Sequence, residues 1–229
     1  MFGFRFSVRS AAALLIAFFL VNAGTSLEAQ STARRKRETN ANRKARIERT
    51  IQDTYSHRWE MAGGGGYLRF KSGEDTQRNN EVTFFLSGTY FLNPRFGIMG
   101  QVGGAYGNAK VGNTIYNIEN PQISQYYFQG GPAYRLYAKQ NYAATVFAIG
   151  GAGLGKFDSG SKGIPAVNLG LYPSQTRAAF QVGVNLDYNF YPNLAMRVTP
   201  LYQGTTFGNS IQNNLGVNMG IVYRFGRIK

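Results

Sequence analysis

Residues 178–190 read Ala-Ala-Phe-Gln-Val-Gly-Val-Asn-Leu-Asp-Tyr-Asn-Phe, and no other stretch limits the fold of this chain so strongly. Ala178, Phe180, Val182, Val184, Leu186, Tyr188 and Phe190 are apolar, while Gln181, Gly183, Asn185, Asp187 and Asn189 are polar or Gly. Successive side chains of a β-strand point to opposite faces, so strict alternation is a strand signal. An ordinary globular strand is about 5–6 residues long. A run of this length with aromatic ends fits a strand that crosses a bilayer, which takes about 9–11 residues.

The pattern recurs through the last three quarters of the chain. Eight strand-like runs are predicted: 59–70, 81–92, 96–106, 125–137, 142–155, 178–190, 194–203 and 214–225. An even number is what a closed single-chain barrel in a bacterial outer membrane requires. The registers of the first run, interrupted by Gly63-Gly64-Gly65-Gly66, and of the fifth, apolar or Gly on both faces, stay open. Pro132 removes a ladder hydrogen bond, and a bulge is expected there. Short turns after Leu92, Tyr137 and Phe190 alternate with long polar connections at 71–80, 107–124, 157–175 and 204–213. That alternation is the outer-membrane pattern of periplasmic turns and external loops. Tyr126, Tyr188 and Tyr223 at the ends of apolar faces fit interfacial girdles. A soluble lipocalin-like barrel that binds an apolar ligand has the same period with its faces inverted, and periodicity alone does not separate the two.

The 229 residues include no Cys, which removes thiolate metal sites and thiol nucleophiles. The formal net charge is +14, but much of it falls before residue 61 in runs that lack stacking aromatics, so nucleic acid is not an expected partner. Arg5 and Arg9 precede an apolar run at 11–21, and Leu27-Glu28-Ala29 has the pattern of a cleavage site before Gln30, so residues 1–29 have the form of a secretory signal peptide. Residues 30–58 form a basic periplasmic linker in which Ile47, Ile51 and Tyr55 give a helical period over 39–55. Its Arg and Lys side chains could pair with anionic peptidoglycan or lipid phosphate. Residues 59–229 would be the barrel.

Residues 63–225 resemble the small eight-stranded outer-membrane β-barrel family, the porin-like barrels related to the OmpA transmembrane domain and OmpX. The resemblance rests on the alternating strands, the Asn93-Pro94 and Tyr191-Pro192-Asn193 turns, and the closing Val217-Asn218-Met219-Gly220-Ile221-Val222-Tyr223-Arg224-Phe225. It implies an all-β, antiparallel up-and-down transmembrane barrel in the outer membrane of a diderm bacterium. It also implies outer-membrane lipid as a partner, and recognition of the last strand by the barrel-assembly machinery. Here the last aromatic is followed by Gly226-Arg227-Ile228-Lys229, a departure from the family pattern.

Side-chain chemistry for catalysis is sparse. The single His, His57, precedes the first strand beside Trp59 and suits an interfacial anchor better than the base of a lipid-modifying enzyme. Adjacent Glu74 and Asp75 suit a solvated loop. The run Gly150-Gly151-Ala152-Gly153-Leu154-Gly155-Lys156 lacks the strand–loop–helix setting of a phosphate loop. No catalytic residue, metal or cofactor is expected.

The inward face is the richer prospect. The alternation puts Arg135, Arg177, Arg197 and Arg224 inside, with Asp187 the only deep acid and Glu81 near the outer rim. An eight-stranded barrel is about filled by its own side chains, so a paired charge network is expected. The alternative is a narrow anion-preferring pore lined by the excess Arg. The leading expectation is a non-enzymatic barrel with a structural or surface-interaction role. Its external loops would present Ile115, Tyr116, Ile118, Leu169, Leu171 and Tyr172 to a partner.

Overall fold

Alternation decides the architecture, because each apolar–polar strand has one face for lipid and one for the interior. The computed structural model describes residues 40–74, 76–111, 118, 120–208 and 210–228. Residues 1–39, which include the expected signal peptide, lie outside them, as do Asp75, Ile115 and Tyr116. A helix α1 (Asn40–Tyr55) precedes eight strands: β1 (Trp59–Lys71), β2 (Arg78–Phe91), β3 (Phe96–Asn108), β4 (Gln122–Ala138), β5 (Tyr142–Lys156), β6 (Gln175–Tyr191), β7 (Leu194–Thr205) and β8 (Gln212–Phe225). Each strand pairs antiparallel with its sequence neighbour, and β1 pairs with β8 to close the barrel.

The faces are those of a membrane barrel. Val82 is 70% exposed and Leu215 65%, whereas Arg197, Arg224, Gln125 and Asn214 are buried inside. A soluble barrel with this arrangement would hold its apolar face in water, so the lipocalin-like alternative fails. Aromatics flank the apolar belt at both heights. Trp59 lies 4.7 Å from Tyr90 and Tyr142 5.3 Å from Tyr188 at the turn end, while Tyr106 lies 5.8 Å from Tyr126 at the loop end. Amphipathic rings favour those two interfaces.

The structure fixes both open registers. In β1, Glu60, Ala62, Leu68 and Phe70 are buried inward, and in β5 Ala143, Thr145, Phe147 and Ile149 are. The bulge expected at Pro132 is displaced: Pro132 faces outward and pairs with Ile98, and the register of β4 shifts instead between Arg135 and Tyr137. An outward Pro can stand in the wall with a single hydrogen bond missing, while the extra residue falls where β4 ends and the chain turns. The short turn between β2 and β3 is held by Asn93, whose Oδ1 accepts hydrogen bonds from the backbone N–H of Arg95 at 2.9 Å and Phe96 at 2.7 Å.

Glycine sets two features of the wall. At the closing seam, a Cβ on Gly64 would stand 2.0 Å from the Met219 carbonyl oxygen, and one on Gly66 2.2 Å from that of Val217. On the lipid side, Gly88 pairs with Gly100, Gly100 with Gly130 and Gly130 with Gly150, a row across β2 to β5. A Cβ on Gly88, Gly100 or Gly150 would meet nothing within 4 Å.

Candidate functional site

Alternation carries long polar side chains from every strand but β5 into one narrow interior, which fills in three layers. The lowest lies at the turn end. Arg197 makes a two-pronged contact with Asp187, Nε to Oδ1 at 2.7 Å and Nη2 to Oδ2 at 2.8 Å, and its Nη2 also donates to Glu60. Arg224 donates to Glu60 at 2.9 Å, to Asp187 at 2.9 Å and to Asn189 Oδ1 at 2.8 Å. Arg135 donates to the Pro94 carbonyl at 2.8 Å and to Glu60 at 3.3 Å, its guanidinium 4.0 Å from the Phe91 ring centroid. All five ionic side chains are at most 3% exposed. Buried charges survive only when paired and hydrogen-bonded, and here three guanidiniums share two carboxylates.

The end of α1 seals this layer from below. Tyr55 is 5% exposed; its hydroxyl donates to the Lys139 carbonyl at 2.7 Å and accepts from Asn189 Nδ2 at 2.9 Å. The Arg135 guanidinium lies 4.8 Å from its ring centroid. Burial raises the Tyr55 phenol above its ordinary range, so it stays a neutral donor. Backbone bonds from Ile228 to Ser56 and from Arg58 to Gly226 tie the two ends of the barrel chain together here.

The middle layer is a mesh of amides. Gln101 donates to Gln181 at 2.9 Å, Gln181 to Gln203 at 3.3 Å, and Thr83 to Asn218 at 2.7 Å. The space among Gln101, Tyr127, Gln181, Gln203 and Asn218 is about 20 Å³. That is room for about one water, not for a passing ion and its hydration shell.

The top layer is aromatic. Phe157 is its hub, with ring centroids 6.1 Å from Phe70, 5.3 Å from Phe207 and 6.1 Å from Tyr172. Leu169 and Leu171, with Ala166 of a short 3₁₀ turn (Ala166–Leu169), pack into the same cluster. The connection 157–174 is thus folded down as a lid. It is held by the Tyr172 N–H donating to the Ser72 carbonyl at 2.9 Å, and by Ser174 Oγ accepting from the Phe157 N–H at 2.9 Å and donating to Asp158 at 3.0 Å. Removing the hub should open the lid without opening the barrel. Phe157→Ala is expected to loosen the lid so that Lys162, already exposed but held in the packed connection, is cut by external trypsin, while unheated gel mobility stays that of the closed barrel; resistance equal to wild type would deny Phe157 this role.

The interior departs from the sequence expectation at three points. Arg135, Asp187, Arg197 and Arg224 come together, but Arg177 does not join them: it is exposed at the loop rim, its Nε donating to Gln175 at 2.9 Å. Its parity points inward, yet it stands above the packed cluster. Asp187 is not the sole deep acid, because Glu60 sits among all three Arg. Glu81 is fully buried without an Arg partner, taking hydrogen bonds from Asn79 at 3.2 Å and Gln125 at 2.8 Å.

The loop contacts change as well. Tyr172 is 6% exposed, and Leu169, Leu171 and Ile118 are buried with it, so these side chains face the lid interior rather than a partner. Among the described residues, the large apolar side chains that the loops do present are Val167 and Ile211, 61% and 52% exposed. No periodicity or motif singles these two out in the sequence. His57 sits half-buried at the turn end, its Nδ1 3.1 Å from the Thr54 carbonyl oxygen.

Comparison with known proteins agrees with this geometry. Among solved structures, the chain is similar to the attachment invasion locus protein Ail of Yersinia pestis, at 18% identity and TM-score 0.50, over 74% of this chain and 99% of that one. It is similar to Neisserial surface protein A, at 13% identity and TM-score 0.54, over 73% and 97%. The outer membrane protein OprG from Pseudomonas aeruginosa aligns at 11% identity and TM-score 0.50, over 75% and 98%. These likenesses are in the fold. No curated protein matches by sequence. The family profile described as outer membrane protein beta-barrel domain matches residues 48–225, and the chain belongs to that family of outer-membrane barrels.

Proposed function

We propose that this chain is a non-conducting, non-enzymatic outer-membrane barrel that works as a rigid platform for surface interaction through its external loops. The closed interior carries the proposal: a charge network, an amide mesh and an aromatic lid stand in series across the lumen. Ion passage needs a continuous wet path, and an anion-preferring pore needs Arg side chains free to meet the ion. Here the three inward Arg are held by Glu60 and Asp187. A packed lid gives the outer face a fixed shape, which lowers the ordering cost of binding a partner. The Yersinia protein of similar fold is named for attachment, a role that such a face could serve.

Planar bilayers holding the purified chain should stay silent under applied voltage. Steady, anion-selective steps would replace the platform with a pore. Cells displaying the chain should adhere to surfaces that cells lacking it do not hold, and Val167→Asp with Ile211→Asp should remove that gain. Undiminished adhesion by the double variant would rule out these loop contacts.

A further inference from the structure

The outward face of β1 and β2 carries an unusual cluster of charge at the loop end. Lys71 stands directly opposite Arg78, and Arg69 opposite Asn80. Directly opposed residues have Cβ atoms about 4.5–5.5 Å apart, diagonal ones about 7–8 Å, so the three cations form one tight group. Like charges in this arrangement repel. Among the described residues none of the three is paired with a carboxylate, and the Arg78 Nη1 turns to the Asn213 carbonyl at 2.7 Å. The exposed acid Glu74 shares a cleft of about 490 Å³ with Lys71 and Arg78 but bonds to neither. A second cleft of about 370 Å³ is walled by Arg69, Arg78, Tyr202, Asn213 and Leu215.

The height of this group matters as much as its charge. Tyr67, whose hydroxyl donates to Asn80, and Tyr202, whose hydroxyl donates to Asn213, belong to the upper aromatic girdle. The cations stand at and just beyond it, level with lipid headgroups. Beside and below them lie Leu215 and Val82, the two most exposed large hydrophobic side chains among the described residues. Leu215 opposes Arg69, and Val82 opposes Tyr67 one step toward the bilayer. A cationic notch that runs directly onto an apolar wall matches an amphiphile with a phosphate head and acyl chains.

We propose that Arg69, Lys71 and Arg78 form a binding site for the phosphate of a phosphorylated, acylated lipid of the outer leaflet, with its chains lying over Leu215 and Val82. The lipid neutralises the repulsion between Lys71 and Arg78, and the wall below anchors it. Ile211 of the loop platform lines the cleft that Lys71 and Arg78 share, but the lipid site stands whether or not the loops bind a partner.

The full chain in phosphatidylcholine nanodiscs doped with diphosphoryl lipid A tests the site, with retained lipid A counted by native mass spectrometry after detergent exchange. Wild type should retain it preferentially over the dephosphorylated form, and Arg69→Ser with Lys71→Ser and Arg78→Ser should weaken retention by on the order of 100-fold. Arg43→Ser with Lys44→Ser and Arg49→Ser on α1 removes as much charge and should leave retention as in wild type. Equal retention by wild type and the rim variant would overturn the site. So would equal binding of the dephosphorylated lipid by wild type, a comparison that does not depend on the variant folding. Complete displacement by millimolar inorganic phosphate would overturn the lipid assignment in favour of a free anion.

Discussion

Replacing Glu60 with Ala should destabilise the folded barrel by about 3–5 kcal/mol, because it strands buried charge rather than removing one contact. Glu60 accepts from Arg135, Arg197 and Arg224, and its loss leaves Arg197 and Arg224 sharing Asp187 and Arg135 without a carboxylate contact. The three guanidiniums are at most 3% exposed, between the amide mesh above and Tyr55 below. Urea unfolding in lipid vesicles, followed by the shift between unheated and boiled gel bands, measures the effect. A variant within about 1 kcal/mol of wild type would show that the network is not held by pairing. Glu60→Met with Arg197→Met should recover much of the loss, since removing one charge of each sign restores the original balance and apolar groups pack where the pair stood.

Gly64→Val is expected to prevent closure altogether. Its Cβ would lie 2.0 Å from one backbone carbonyl oxygen and 2.6 Å from the Cα of Gly220, atoms fixed by the β1–β8 ladder. A flexible side chain could swing aside, but a ladder carbonyl moves only with its strand. The heat-shifted band should vanish. Gly88→Ala is the matched control: nothing lies within 4 Å of its added methyl group, and the folded band should persist. Closure by the Gly64 variant would mean that β1 and β8 meet in another register.

Glu60 and Gly64 both lie in β1, the strand whose sequence is hardest to read. Elsewhere the strand cores are legible, because lipid outside and packing inside impose a period of two over runs such as 178–190, with β5 the exception because Ala and Gly stand on both of its faces. The loop-side strand ends are less so: β4 begins at Gln122 and β6 at Gln175, each three residues before its alternating run. There the ladder continues above the lipid and polar side chains no longer alternate with apolar ones. Glu60 is hidden because the glycines at 63–66 break the pattern of its strand, although it shares parity with Ala62, Leu68 and Phe70. Arg177 separates from the other inward Arg because parity gives direction but not height. Tyr172 looks like a surface contact in sequence because the lid's packing joins Phe70, Phe157 and Phe207, distant residues that no local period connects.

The glycine row from β2 to β5 makes the wall mechanically uneven. Gly88, Gly100, Gly130 and Gly150 stand side by side with no side chain to brace one strand against the next, whereas the lipid face of β6 to β8 is braced by Val182, Val198, Val217 and Met219. Glycine in a strand contributes no packing and permits bending. Sideways compression by the bilayer should therefore be absorbed along that row. The braced half should keep its curvature better as membrane thickness changes.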